Sequence, residues 1–253
     1  MVMALSAAHI GFALCVVLVL FVVQKLLCGG APPGLGNTVL VLGDIGAGKT
    51  VLVRKLLSGS VPKTRTSMKE VAFSNVTLQR EEGGSGAGAG EGGVLNVVDF
   101  PGHPRLRSGV AARLAQASVV LFVVDSSDLT KAHLGTCAEF LYDVMTNESV
   151  EARQPALLVV CSKSDLGAAA AKAYVRTQLE KELSRLKETR PSLAAEGDDG
   201  GADTILLGRK GKDFTFAEDC PCETRFCEFT ALPAAGADGG LREVEVFIRD
   251  FIQ

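Results

Sequence analysis

Apolar residues along this chain fall into two rhythms. Largely apolar runs at Thr38–Leu42, Val94–Phe100, Ser118–Val124 and Ala156–Cys161 have strand length and lack a polar face, as strands covered on both sides do. Between them apolar residues recur at helical spacing. Val51–Leu57 reads as a helix that Gly59 ends, and Pro104–Gln116 as a helix with its proline tolerated in the first turn. Thr130–Met145 sets Leu134, Ala138, Leu141 and Val144 or Met145 on one face, Ala168–Lys187 carries charge pairs on its outer face, and Leu241–Ile252 is amphipathic. Lys69–Arg80 contains Val71, Phe73, Val76 and Leu78 with one shift of alternation that fits a bulge, and Phe226–Leu232 is a short strand. Six strands interleaved with helices predict an α/β fold, a doubly wound and mostly parallel sheet with its ligand at the strands' carboxyl ends.

The N-terminus has neither rhythm. Val2–Val23 carries no formal charge, and a run of about 20 such residues spans a bilayer. No Lys or Arg precedes the run, as a cleaved signal would need, and Lys25 follows it. The expectation is an uncleaved anchor at 1–28, spanning about 4–24, a Pro- and Gly-containing linker at 29–37, and a cytosolic globular domain at 38–253. Two Gly- and Ala-rich stretches, near 81–93 and 189–211, read as insertions. Apolar residues at 47% and charged residues at 22% fit a packed core, and a net charge of −3 gives no reason to expect nucleic acid as a direct partner. The seven cysteines show no disulfide framework.

The chemistry gathers at strand ends. Gly43-Asp44-Ile45-Gly46-Ala47-Gly48-Lys49-Thr50 fits G-x-x-x-x-G-K-[ST] between a strand and a helix, so backbone N–H groups and the helix dipole would cradle phosphates. Lys49 would reach the β- and γ-phosphates and Thr50 would hold Mg2+. Asp99-x-x-Gly102 ends the third strand, where an aspartate holds Mg2+ through water and a glycine N–H approaches the γ-phosphate. Thr64 or Thr66 would supply a second hydroxyl to the metal, and spacing alone does not choose between them. Ser162-Lys163-Ser164-Asp165 stands where an N-K-x-D base reader would follow a buried strand, and a carboxylate there selects guanine. His103 occupies the place of a water-orienting residue. Cys220, Cys222 and Cys227 lack a nearby fourth ligand for zinc, and His133 reads as a surface residue.

Together these motifs resemble the small GTPases of the Arf and Sar branch. Asp99-Phe-Pro-Gly-His-Pro-Arg-Leu-Arg107, Phe122-Val-Val-Asp-Ser126, Glu139-Phe-Leu-Tyr142, Gln178–Leu183 and Leu207–Phe214 are similar, more specifically, to the signal recognition particle receptor beta subunit family. The resemblance implies a GTP- and Mg2+-binding subunit on the endoplasmic reticulum membrane. It would dock the N-terminal domain of the receptor's alpha subunit, with ribosome and translocon met only indirectly. It also implies Thr66 as the switch threonine and Thr230-Ala231 as the guanine loop, with Leu232 in place of the usual lysine and Ser162 in place of the usual asparagine. Hydrolysis would be slow and partner-dependent, since no arginine finger is evident in cis. The alternative reading is an Arf- or Sar-like vesicle-trafficking GTPase, although Val2 stands where myristoylation needs glycine.

Overall fold

The computed structural model describes residues 36–61, 66–77, 94–196, 207–209, 211–233 and 238–252. The expected membrane span and the expected insertion at 81–93 lie outside the described residues. No helix among the described residues is long and apolar enough to cross a membrane.

Six strands form one sheet: β1 (Thr38–Gly43), β2 (Val71–Val76), β3 (Leu95–Asp99), β4 (Val119–Asp125), β5 (Ala156–Ser162) and β6 (Thr224–Glu228). Their order is β2-β3-β1-β4-β5-β6, and only the edge strand β2 runs antiparallel to its neighbour. The continuous apolar runs became the interior strands for a simple reason. Every residue of β4 is buried, with Val120, Phe122 and Val124 facing one core layer and Val119, Leu121 and Val123 the other. Full burial of a side chain such as Phe122 stabilises the fold by roughly 1.5–3 kcal/mol, so polar residues are excluded from both faces. The β2–β3 register shifts between Phe73 and Val76, where Asn75 has φ 57°, which is the bulge that the alternation predicted.

The helices cover both faces. α1 (Lys49–Ser58) and α6 (Leu241–Phe251) pack on one layer through Leu52, Val53, Phe247 and Ile248. The other layer takes Val110 and Leu114 of α2 (Val110–Leu114), Phe140 and Leu141 of α3 (Lys131–Met145), Val150 of α4 (Glu148–Arg153) and Leu179 and Leu183 of α5 (Lys172–Glu196). Gly59 adopts φ 65° and donates its N–H to the Lys55 carbonyl, ending α1 as expected.

Four boundaries depart from the sequence reading. Pro104–Gln116 is a 3-10 turn, Pro104–Gly109, whose start the His103 ring caps and which passes into α2. α5 continues through Glu196, so the first residues of the stretch 189–211 are helix. Phe229–Leu232 leave the sheet after Glu228, freeing them for the site below. α4 was not predicted; Asn147 caps it by accepting the Ser149 N–H at 3.0 Å.

Candidate nucleotide site

The loop between β1 and α1 is shaped by close packing. An added Cβ on Gly43 (φ 139°) would lie 2.2 Å from the Val123 carbonyl oxygen, so only glycine lets β1 leave the sheet here. Gly48 precedes α1 without a side-chain cap, leaving the helix's first N–H groups directed at the loop. Lys49 is buried and its Nζ donates to the Asp44 carbonyl at 2.7 Å. Burial pushes the Lys49 pKa down, while the Asp99 and Asp44 carboxylates oppose that shift. Asp44 Oδ1 accepts the Ile45 N–H at 2.7 Å and faces the Arg107 guanidinium at 3.2 Å.

At the end of β3, Asp99 Oδ2 accepts the Thr50 hydroxyl at 2.6 Å. Its other oxygen, Oδ1, is buried with no hydrogen-bond partner. Burial raises the Asp99 pKa against the Thr50 hydrogen bond and the Lys49 charge. Thr50 Oγ1 also lies 3.3 Å from Ser67 Oγ. A Cβ on Gly102 would come within 2.6 Å of the Gly43 carbonyl and of Lys49 Nζ, so this glycine sits directly on the phosphate loop. These groups border a cavity of about 270 Å3 lined by Ile45, Gly46, Gly48, Lys49, Thr66, Ser67, Gly102 and Lys163 among others.

A second cavity of about 240 Å3 adjoins the first through Gly48, Val51 and Lys163. Its walls are Ser162, Asp165, Leu166, Phe229, Ala231 and Leu232. Ser162 Oγ lies 2.6 Å from the Ala47 carbonyl and 3.0 Å from that of Val124, so the serine ties the β5 end to the phosphate loop. Lys163 has φ 58° and pairs with Asp125. Burial raises the Asp125 pKa, but the Lys163 pair and the Ser127 hydrogen bonds outweigh it and hold the carboxyl below its ordinary value. Asp165 Oδ1 accepts the Thr230 hydroxyl at 2.5 Å, which orients it at the cavity. The Ala231 carbonyl accepts Lys55 Nζ at 3.2 Å.

The arrangement suits an elongated anion with a planar head. N–H groups and a buried ammonium face one cavity, and apolar walls with one carboxylate bound the other. An orphaned carboxylate oxygen beside the hydroxyls of Thr50 and Ser67 is an oxygen donor set that fits a hard divalent cation such as Mg2+. Thr66 lines the cavity, but its neighbour Ser67 is the residue whose hydroxyl approaches Thr50; Thr64 lies outside the described residues. His103 does not line either cavity, and its Nδ1 accepts the Arg105 N–H at 3.2 Å as a cap. Cys227 is buried in the opposite core layer from Cys222, so the three cysteines do not converge.

Sequence reasoning missed Arg107, Asp125 and Ser67 as supporting residues. Arg107 spreads its guanidinium 4.3 Å above the Phe140 ring while reaching Asp44, a pairing across 63 positions that no local pattern reveals. Asp125 had one signal, its place at the end of a buried strand.

A six-stranded, mostly parallel sheet with a phosphate loop after β1 and a carboxylate-bearing cleft after β5 is the fold of the P-loop GTPases. The signal recognition particle receptor beta subunit family matches residues 35–219. The rat receptor beta subunit (Rattus norvegicus) is 34% identical over 211 residues, covering 83% of this chain and 73% of the relative. The solved structure of the mammalian SRP receptor superposes with TM-score 0.68 at 29% identity, over 85% of this chain and 99% of that one. A Chaetomium thermophilum SRb structure with GDP and Mg superposes at TM-score 0.58 and 26% identity, over 82% and 95% of the two chains. This chain belongs to the signal recognition particle receptor beta subunit family.

Proposed function

We propose that the chain binds guanine nucleotide with Mg2+ and, in the nucleotide-bound form, docks the N-terminal domain of the receptor's alpha subunit at the endoplasmic reticulum membrane. The observation that carries this reading is the pair of joined cavities, with Lys49 and Thr50 at one end and Asp165 held by Thr230 at the other.

In this reading residues Gly43, Asp44, Ile45, Gly46, Ala47, Gly48, Lys49 and Thr50 hold the phosphates, and Gly102 follows the γ-phosphate. Ser162, Lys163, Asp165, Thr230 and Ala231 hold the base. Guanine is the base that fits, because it offers two donors on the edge that a carboxylate would meet, whereas adenine does not. Thr50, Thr66 and, through water, Asp99 would hold Mg2+, with Ser67 close enough to assist. When bound, the ion neutralises charge on the β- and γ-phosphates. Residues 1–28 would anchor the domain in the bilayer as a single span, 29–37 would link them, and 38–253 would stay cytosolic, with ribosome and translocon engaged only through the alpha subunit. Hydrolysis in the isolated chain would be slow and partner-dependent, since no arginine finger is evident in cis.

The test is a pull-down from detergent extract with the full chain, wild type against Lys49→Ala and Asp165→Asn, with bound nucleotide measured in the same samples. The reading expects guanine nucleotide and the alpha subunit with wild type and neither with the variants. Recovery of vesicle-coat proteins, or equal recovery of the alpha subunit with all three, would overturn it.

A further inference from the structure

Hydrogen bonds of the phosphate loop converge on Asp44. Its Oδ1 accepts the Ile45 N–H at 2.7 Å, and its carbonyl accepts Lys49 Nζ at 2.7 Å and the Ala47 N–H at 3.4 Å. Arg107 reaches this residue from outside the loop. Its Nη2 donates to Asp44 Oδ1 at 3.2 Å, and both side chains are largely buried. The same guanidinium donates from Nη1 to the Thr136 carbonyl of α3 at 3.3 Å and lies 4.3 Å above the Phe140 ring. Its Nε is buried with no partner. An unpaired buried donor costs stability, so Asp44, Thr136 and Phe140 set where the guanidinium lies, at the expense of one of its own hydrogen bonds. A lysine carries its charge at a single point and would not meet all three together.

The segment leading into the Pro104–Gly109 turn touches the same residue, since a Cβ on Gly102 would lie 2.7 Å from the Asp44 carbonyl carbon. Lys49 lines the nucleotide cavity and Arg107 does not. An effect of Arg107 on a bound ligand therefore has to pass through Asp44.

We propose, taking nucleotide binding as the function of the chain, that Arg107 is a positioning residue for the phosphates: it fixes Asp44, whose carbonyl in turn holds Lys49 Nζ in the cavity. With Arg107 in place the Asp44 carboxylate is paired, and its carbonyl stays directed at the ammonium. Without Arg107 the carboxylate is a mostly buried charge that has lost its partner. It then turns toward water or toward the Lys49 ammonium, and either movement displaces the group that meets the phosphates.

Release of fluorescently labelled GDP from the full-length chain in detergent, with Mg2+ present, measures the effect. Arg107→Ala should release it about tenfold faster than wild type, and Asp44→Asn by a similar factor. The double variant should stay within about threefold of either single variant, because both substitutions remove one and the same interaction. Arg107→Lys should fall between wild type and Arg107→Ala, since it returns the charge without the planar fork. Arg107→Lys and the double variant leave no unpaired buried charge, so they carry the test if Arg107→Ala alone fails to fold. Leu183→Ala is the control for fold: this buried residue of α5 lies on none of the elements that carry Arg107, Asp44 or Phe140. Its nucleotide-free melting temperature should drop, while its GDP release stays within about twofold of wild type. Wild-type chain that retains no labelled GDP would sink the nucleotide reading and this proposal with it. With GDP retained by wild type, three results would each overturn the positioning role alone: release from Arg107→Ala within about twofold of the wild-type rate, single effects that multiply in the double variant, or an equal acceleration in Leu183→Ala.

Discussion

Replacing Ser162 by alanine removes one oxygen and no packing volume of consequence, so its effect isolates the tie between base loop and phosphate loop. The hydroxyl is buried, 2.6 Å from the Ala47 carbonyl and 3.0 Å from the Val124 carbonyl. A lost partner at a buried acceptor costs roughly 1–2 kcal/mol. In a domain of this size each kcal/mol lowers Tm by about 2–4 °C, so nucleotide-free Ser162→Ala should melt about 2–8 °C below wild type. Loosening the Ala47 carbonyl also loosens the loop that holds phosphate. Affinity for GDP should fall about tenfold, equivalent to about 1.4 kcal/mol. Ser162→Asn restores a donor on a longer side chain and should recover most of both losses. Calorimetry on the detergent-purified chain and titration with a fluorescent GDP analogue measure the two effects. Unchanged Tm and affinity in the alanine variant would refute the reasoning; a Tm loss with unchanged affinity would show that the tie serves the fold alone.

Lys49→Ala should weaken GDP binding by roughly a hundredfold, since a charged hydrogen bond to phosphate is lost from a buried site; equilibrium dialysis checks it. Gly43→Ala should lower stability by at least about 3 kcal/mol or prevent soluble accumulation, because its Cβ would lie 2.2 Å from the Val123 carbonyl, and a urea midpoint close to wild type would contradict this. Asp125→Asn should cost about 1 kcal/mol at pH 7, discounted for the exposed Lys163 partner. Because the folded carboxyl titrates below its ordinary value, the stability it adds is full above about pH 4 and fades as pH falls through the folded value, so the two melting curves should converge in acid. His103→Gln should change single-turnover hydrolysis of bound GTP less than about threefold, the small effect expected of a group outside the reacting geometry; a drop of two orders of magnitude would place the ring in the reaction.

The central sheet was legible because burial on both faces leaves only one composition for β4 and β5. The glycine-rich loop between β1 and α1 was legible because its motif fixes where glycine must stand, as Gly43 stands against Val123 of β4. Gly102 shows the limit of that kind of signal: the sequence marked it, yet the crowding that excludes a Cβ there comes from Gly43 and Lys49, far back in the chain. Arg107 and Asp125 escaped because their partners, Asp44 and Lys163, lie far away in sequence, and long-range pairs leave no period or motif. The 3-10 turn escaped for a different reason. Its apolar spacing fits a helix of either kind, and spacing does not tell a 3-10 turn from an α-helix over six residues.

That cap bears on what the site does with a nucleotide. A neutral imidazole that accepts the Arg105 N–H at Nδ1 carries its hydrogen on Nε2. Nε2 in that tautomer donates, and has no lone pair with which to take a proton from attacking water. To act as a base the ring would have to leave the cap and free the start of the Pro104–Gly109 turn. The same turn delivers Arg107 to Asp44, next to the loop that holds phosphate. Release of His103 would remove one hydrogen bond from the turn that carries Arg107. If the chain holds nucleotide as proposed, the Arg107–Asp44 pair would steady the binding loop while His103 stays in its cap.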